Sequence, residues 1–168
     1  VVPSIFHCVS AQASAPEYFS SGQKRRYLTM GVTCLDALNM IVKYDLKTGF
    51  GADFPGQESD QSRQSAEFEA RAEFWPTIEV LRQATSYGAE LIGMAISRMP
   101  YQDGSLGVVE EGAYADLLIV DGNPFEDISL LGNPNKNMLL IMKDGEIIKF
   151  NDAVILNRNY ARLLLQVI

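Results

Sequence analysis

Imidazole and thiol side chains are few in this sequence. The single histidine is His7, and the two cysteines are Cys8 and Cys34. The stretch GFGADFPG places one carboxylate, Asp53, between a short apolar run and a Pro-Gly turn. Hydrolytic zinc sites draw most of their neutral ligands from imidazole, so these residues alone cannot form a histidine-based metal centre. Neither cysteine belongs to a CxxC pattern, which favours two buried free thiols over a zinc ribbon or a disulfide framework.

The composition is typical of a soluble globular domain. Of 168 residues, 47% are hydrophobic and 21% are charged, and the length is close to that of one domain. The formal net charge of −7 argues against a nucleic-acid partner, because such partners select basic surfaces. No stretch reaches the roughly 18 consecutive apolar residues of a membrane helix, so no membrane partner is expected. The sequence assigns no cellular compartment.

Two predicted strands and the helix between them place Asp53. Residues 1–6, VVPSIF, are a continuous apolar run typical of a strand buried in a parallel sheet. Apolar residues recur at helical spacing over residues 21–44, and residues 46–53, LKTGFGAD, predict a second short strand. This order is a βαβ crossover with parallel strands. Ligands bind at the carboxyl ends of such strands, so His7 and Asp53 are both predicted at that edge.

Further helices are predicted after the polar loop that follows Asp53. One runs over residues 68–75, a second follows Pro76, and a third covers residues 88–94. In the first of these, EFEARAEF interleaves acidic side chains with Arg71. That spacing allows weak ion pairs, and we interpret it as an ordinary solvated helix face.

From Gly104 onward the pattern changes to short apolar runs separated by Gly, Asn, Pro and Asp. Residues 139–150, LLIMKDGEIIKF, predict a hairpin with a type I′ turn at Asp144-Gly145. Asp116 and Asp121 bracket a predicted strand, so turn roles are expected for them rather than a catalytic carboxylate pair. Residues 155–168 predict a closing helix.

Four stretches together resemble the C-terminal part of the amidohydrolase superfamily, in the branch of imidazolonepropionase-like and Xaa-Pro dipeptidase (prolidase-type) metal-dependent hydrolases. GFGADF is similar to the Gly-Thr-Asp motif after the eighth barrel strand, with Ala52 where Thr is usual. RQSAEFEARAEF resembles the Gln-Ser-x-Glu-Phe helix that follows. The stretches at residues 78–94 and 104–150 complete the resemblance, and the last, GSLGVVEEGAYADLLIVDGNPFED through MKDGEIIKF, is the most specific.

The resemblance implies an α/β fold, a (β/α)8 TIM-type barrel joined to a small β-sandwich. Residues 1–100 would supply the last two βα units of the barrel, and residues 101–168 a sandwich segment and tail. Such a barrel takes about 250 residues, so we expect an incomplete barrel whose N-terminal half lies upstream of Val1. The unpaired strand edge predicts association, with a homo-oligomer as one form.

The resemblance also implies hydrolysis of C–N bonds in a small-molecule amide or dipeptide, either an Xaa-Pro dipeptide or a cyclic amide. One or two divalent metal ions, usually zinc, would be held mainly by ligands upstream of Val1. Asp53 would be both a metal ligand and the general base. It implies no metal role for His7, and Gln64 and Ser65 would lie at the mouth of the site. The chain alone is expected to be inactive.

Two alternatives remain open at this stage. Spacing alone favours a structural role for Asp53, ending a strand and capping the next turn, and it is the resemblance that favours catalysis. The second alternative concerns the chain as a whole: instead of part of a hydrolase, it would be a stand-alone, non-catalytic binding or assembly module without the metal site.

Overall fold

The computed structural model describes residues 1–13, 15–53, 63–151 and 166–167. Among these residues, no helix has both the length and the apolar character needed to cross a membrane. The helices are α1 (Ile5–Ala13), α2 (Ser21–Lys43), α3 (Glu67–Ala72), α4 (Thr77–Ala84), α5 (Ser86–Gly93), α6 (Ser129–Gly132) and α7 (Pro134–Asn137), with short 3₁₀ helices at Gln64–Ala66 and Ile96–Arg98. The strands are β1 (Leu117–Val120), β2 (Met138–Lys143), β3 (Glu146–Phe150) and β4 (Gln166–Val167).

The long predicted helix is confirmed as α2. It begins with a capping box in which the Ser20 hydroxyl accepts from the Gln23 amide and the Gln23 side chain accepts from the Ser20 amide. Its buried face includes Leu38 and Ile41, which pack with Ile5 of α1 in one apolar cluster. This cluster fixes α1 against α2.

The predicted first strand is wrong, because the chain is helical from Ile5. The cause is tertiary: the Glu67 carboxylate accepts the amides of Ile5 at 2.9 Å and Phe6 at 2.7 Å, which start the helix. The apolar, β-branched composition of residues 1–6 is overridden by this contact.

The parallel arrangement predicted for the two segments is nevertheless present. The Val1 amino group donates to the Lys47 carbonyl at 3.1 Å, and the Gly49 amide donates to the Val1 carbonyl at 2.8 Å. Val1 is thus hydrogen-bonded to the two residues on either side of Thr48, which is the bonding pattern of parallel strands. Neither segment extends into a regular strand, so the predicted strand at residues 46–53 is an irregular extended segment.

Cys8 and Cys34 form a disulfide between α1 and α2, with their Cα atoms 5.6 Å apart. The prediction of two free thiols is therefore wrong. The two residues lie 26 positions apart and belong to no local motif, and only the packing of the two helices brings them together.

The C-terminal part is a four-stranded antiparallel sheet in the order β3-β2-β1-β4. The predicted hairpin is confirmed: Asp144 and Gly145 have φ of 52° and 80°, the positive values that a type I′ turn requires. An apolar cluster packs Val120 and Met138 of the sheet against Val80 and Leu81 of α4.

The tail prediction is wrong at its end. Residues 166–167 form strand β4 beside β1, not a helix, and residues 155–165 lie outside the described part of the chain.

Asp116, at the start of β1, binds the hairpin turn. It accepts from the Lys143 ammonium at 2.8 and 3.0 Å and from the Asp144 amide at 2.7 Å. Desolvation acts to raise the pKa of the Asp116 carboxyl, but the hydrogen bonds from Lys143 and Asp144 together lower that pKa below its ordinary value. The expected turn role is confirmed for this residue.

Reducing the Cys8–Cys34 disulfide is expected to lower the free energy of unfolding by about 2–4 kcal/mol, because the crosslink restricts the unfolded chain. Denatured protein should take up no iodoacetamide before reduction and two labels afterwards, as measured by mass spectrometry. Urea unfolding of Cys34→Ser should match that of the reduced protein, and Thr33→Ser is the control. Labelling of unreduced protein would contradict the pairing.

Asp116→Asn is expected to destabilise the protein at pH 7 and to have no effect at low pH. A carboxyl whose folded pKa is lowered contributes stability above its unfolded pKa of about 3.9 and loses it as pH falls through the folded pKa. Urea midpoints of wild type and variant should therefore converge as the pH falls below the folded pKa of Asp116. Glu146→Gln on β3 is the control, and a gap that persists unchanged at acid pH would contradict the assignment.

Candidate functional site

Asp53 lies directly after the extended segment that runs beside Val1. Its side chain is exposed, and its backbone is left-handed with φ of 46°. Asp is one of the few non-glycine residues that adopt this conformation with little strain. The carboxylate forms part of the wall of a cavity of about 830 Å³.

Aromatic rings form another part of the lining, the aromatic wall, which α1, α2 and the connection between them supply. The rings of Phe6 and His7 are 5.9 Å apart, those of His7 and Tyr27 are 6.4 Å apart, and those of Phe19 and Tyr27 are 5.5 Å apart, all edge to face. The Arg63 guanidinium lies 5.0 Å from the centre of the Phe6 ring. The lining thus combines aromatic rings with the charged side chains of Glu17, Asp53 and Arg63.

The prediction that His7 lies at a strand end is wrong. His7 lies in the first turns of α1. Its Nδ1 lies 3.4 Å from the Tyr27 hydroxyl oxygen. The structure still brings His7 and Asp53 to one cavity. Gln64 and Ser65 lie in a 3₁₀ helix close in sequence to Arg63, and neither is among the described residues that line the cavity.

The predicted solvated face of EFEARAEF is wrong for two of its charges. Glu69 and Glu73 are exposed, but the side chains of Glu67 and Arg71 are 0% exposed and form an ion pair of 2.7 Å. Burial raises the pKa of the Glu67 carboxyl and lowers the pKa of the Arg71 guanidinium, and their mutual attraction opposes both changes. An exposed ion pair on a helix has the same i,i+4 spacing as this buried one. Only tertiary packing therefore distinguishes a buried pair from an exposed pair.

Arg71 binds the backbone that leads to Asp53. Its guanidinium donates to the carbonyls of Gly49 at 3.1 Å and Gly51 at 3.4 Å, and also to the Pro3 carbonyl. A further bond of 2.6 Å goes to the side chain of Gln83. The sequence contains no local signal for these contacts, which join segments far apart in the chain.

Two more bonds complete the support of this segment. The Phe50 amide donates to the Gln83 backbone carbonyl at 3.0 Å, and the Ser4 hydroxyl donates to the Ala52 carbonyl at 2.6 Å. The Ala52 carbonyl is the last main-chain acceptor before Asp53. The backbone is therefore fixed up to the residue that presents the carboxylate.

The described residues contain no group of three or more His, Cys, Asp or Glu side chains placed to hold a metal ion. An exposed carboxylate at a cavity wall does fit the oxygen-donor role that Asp fills in zinc sites. Asp53 is therefore a candidate ligand that belongs to no three-ligand group among the described residues.

A second cavity, of about 670 Å³, lies between α4, α5 and the sheet. Its lining includes Phe50, Leu81, Leu118 and Met142, together with other apolar side chains. We take the cavity at Asp53 as the candidate site, because there a fixed backbone presents an exposed carboxylate.

No protein-family model matches the sequence, and no curated protein matches it either. Solved structures do match. An amidohydrolase is 30% identical with a TM-score of 0.75, over 90% of this chain and 34% of its own. A prolidase complexed with N-methylphosphonate-L-proline is also 30% identical, with a TM-score of 0.73, over 90% of this chain and 35% of its own. A Xaa-Pro dipeptidase with methionine bound in its active site is 26% identical, with a TM-score of 0.70, over 88% and 34%.

This chain thus spans about a third of the length of the structures that it matches. The match covers nine-tenths of the chain, including both the helical part and the antiparallel sheet. The resemblance to the amidohydrolase superfamily stated from the sequence motifs is confirmed by these structures.

Proposed function

We propose that the protein carrying this chain is a metal-dependent hydrolase of C–N bonds in which Asp53 is a metal ligand and the general base. The observation that carries the proposal is the exposed Asp53 carboxylate at the wall of a large cavity, on backbone held by hydrogen bonds up to Ala52. Amidohydrolase and prolidase neighbours at 30% identity support the reaction class.

The architecture that accompanies this function is a (β/α)8 barrel with a small β-sandwich. Residues 1–100 would contribute its last two βα units, and residues 101–168 part of the sandwich. The parallel pairing of Val1 with the segment around Thr48 and the antiparallel sheet β1–β4 support this division. Asp53 then sits at the carboxyl end of a barrel segment, where barrel enzymes place their active sites.

The reaction needs a base that can take a proton from water and return it to nitrogen. A divalent ion held in part by Asp53, zinc by analogy with the family, would supply an acidified water, whose pKa falls toward about 7 in zinc hydrolases. The Asp53 carboxylate accepts a proton from the attacking water and then donates it to the leaving nitrogen. The same carboxyl thus serves as base in the first step and as acid in the second.

The cavity wall supports a small amide or dipeptide substrate, with Xaa-Pro dipeptides and cyclic amides as the two classes. The aromatic side chains Phe6, Phe19 and Tyr27 can bury an apolar part of such a substrate. Two neighbours hold small ligands derived from amino acids: the prolidase binds N-methylphosphonate-L-proline, and the Xaa-Pro dipeptidase binds methionine. The Arg63 guanidinium in the cavity lining offers a partner for a substrate carboxylate.

Asp53→Asn is expected to lower kcat by at least about a hundredfold, because general acid–base catalysis contributes about that much or more. The measurement is dipeptide or cyclic-amide hydrolysis by the intact metal-loaded protein, with metal content determined in parallel. Asp45→Asn is the matched control, since Asp45 is also an exposed Asp with positive φ, here 47°, and lies outside the described cavity lining. Near-normal turnover by Asp53→Asn would refute the assignment.

Metal content separates this proposal from the alternative of a stand-alone binding or assembly module without the metal site. Elemental analysis of the 168-residue chain is expected to find no stoichiometric metal. A longer form extended upstream should bind at least one ion, lost on chelation. Absence of metal from the extended form would favour the module, and stoichiometric metal on the chain alone would mean that its own residues complete a site.

A further inference from the structure

A buried ion pair in this part of the fold calls for an explanation other than stability. Removing Glu67 and Arg71 from water costs several kcal/mol per ion, and apolar residues of similar size would often stabilise a core equally well. What distinguishes this pair is its partners. Nearly all are backbone groups of the two segments that form the walls of the Asp53 cavity.

The two charges together join the two walls. The Glu67 carboxylate binds the amides of Ile5 and Phe6, which start the helix that carries the aromatic wall. Arg71 binds the Pro3 carbonyl on the same side and the carbonyls of Gly49 and Gly51, which precede Asp53. Because the two side chains are also bonded to each other at 2.7 Å, the pair bridges the two walls.

Ser4 adds the link nearest to Asp53. Its hydroxyl, from the residue before α1, donates to the Ala52 carbonyl at 2.6 Å. The Asp53 backbone that follows is left-handed, and no described side chain is hydrogen-bonded or ion-paired to the exposed carboxylate. The main chain therefore sets the position of the Asp53 Cα and Cβ atoms, and a rotation of the Ala52–Asp53 peptide would move the carboxylate with them.

We propose that Glu67, Arg71 and Ser4 are positioning residues for Asp53, which fix its carboxylate relative to the α1 wall of the cavity. This inference rests on the proposed function of Asp53 as base. A general base must be placed within a fraction of an ångström, and an error of about 1 Å can cost about a hundredfold in rate. The pair supplies that precision from outside the cavity, without touching the substrate.

Ser4→Ala and Thr48→Val form a matched pair of variants. Each removes one hydroxyl that donates to a main-chain carbonyl, at 2.6 Å for Ser4 and at 2.7 Å, to Leu46, for Thr48. The Thr48 bond lies at the far end of the same segment from Asp53. A merely structural role predicts similar effects of both, whereas positioning predicts that Ser4→Ala alone affects catalysis.

In the intact metal-loaded protein, Ser4→Ala is expected to lower kcat about tenfold with little change in KM. Ser4→Thr, which keeps the hydroxyl, should restore kcat, and Thr48→Val should leave it at the wild-type value. Arg71→Lys keeps the charge but cannot bond Glu67 and three carbonyls at once, so a larger loss of kcat is expected. If Arg71→Lys does not fold, the Ser4 and Thr48 variants decide the question alone.

Hydrogen exchange of the 168-residue chain gives a readout that does not depend on activity. The amides of peptides covering residues 49–53 should exchange faster in Ser4→Ala than in wild type. In Thr48→Val their exchange rates should equal those of wild type. If Asp53→Asn is inactive while Ser4→Ala keeps wild-type kcat and exchange, the positioning role is refuted and the proposed function stands. If Asp53→Asn is active, the proposed function fails, and positioning of a base fails with it.

Discussion

Glu67 and Arg71 carry opposite charges on one short helix, and neither side chain has any exposure to solvent. Such a pair is tolerated only when every donor and acceptor finds a partner. Here Glu67 accepts two main-chain amides, while Arg71 donates to Gln83 and to main-chain carbonyls and stacks on the Phe50 ring, 4.6 Å from its centre. The start of α1, the extended segment before Asp53 and the packing of α3 all depend on this network.

The network explains why the site has its particular shape. Residues 1–4 and 47–52 lie side by side without forming regular strands, so the ladder bonds of a sheet do not fix them along their length. The side chains of Ser4 and Arg71 and the backbone carbonyl of Gln83 supply further bonds. The chain can then end one segment in a helix that carries aromatic residues and the other in a carboxylate, with both facing one cavity.

The features that could be predicted from the sequence are those set by interactions between residues close together in the chain. Helix α2 and the Asp144-Gly145 hairpin are encoded by local periodicity, a capping box and turn chemistry, and both are confirmed. Helix α1, the disulfide and the buried state of Glu67 depend on residues far apart in the chain, and all three were mispredicted. Asp53 itself was singled out by its motif, but the side chains that hold its backbone have no such signal.

The distribution of charge around Asp53 connects this architecture to the proposed chemistry. The buried Arg71 directs its donors to carbonyls and to Glu67 rather than to the Asp53 carboxylate. Asp53 is left exposed, with an oxygen ligand available to a cation and a base available to water. Holding the backbone rather than the carboxylate fixes the position of Asp53 and leaves the carboxylate available for this chemistry.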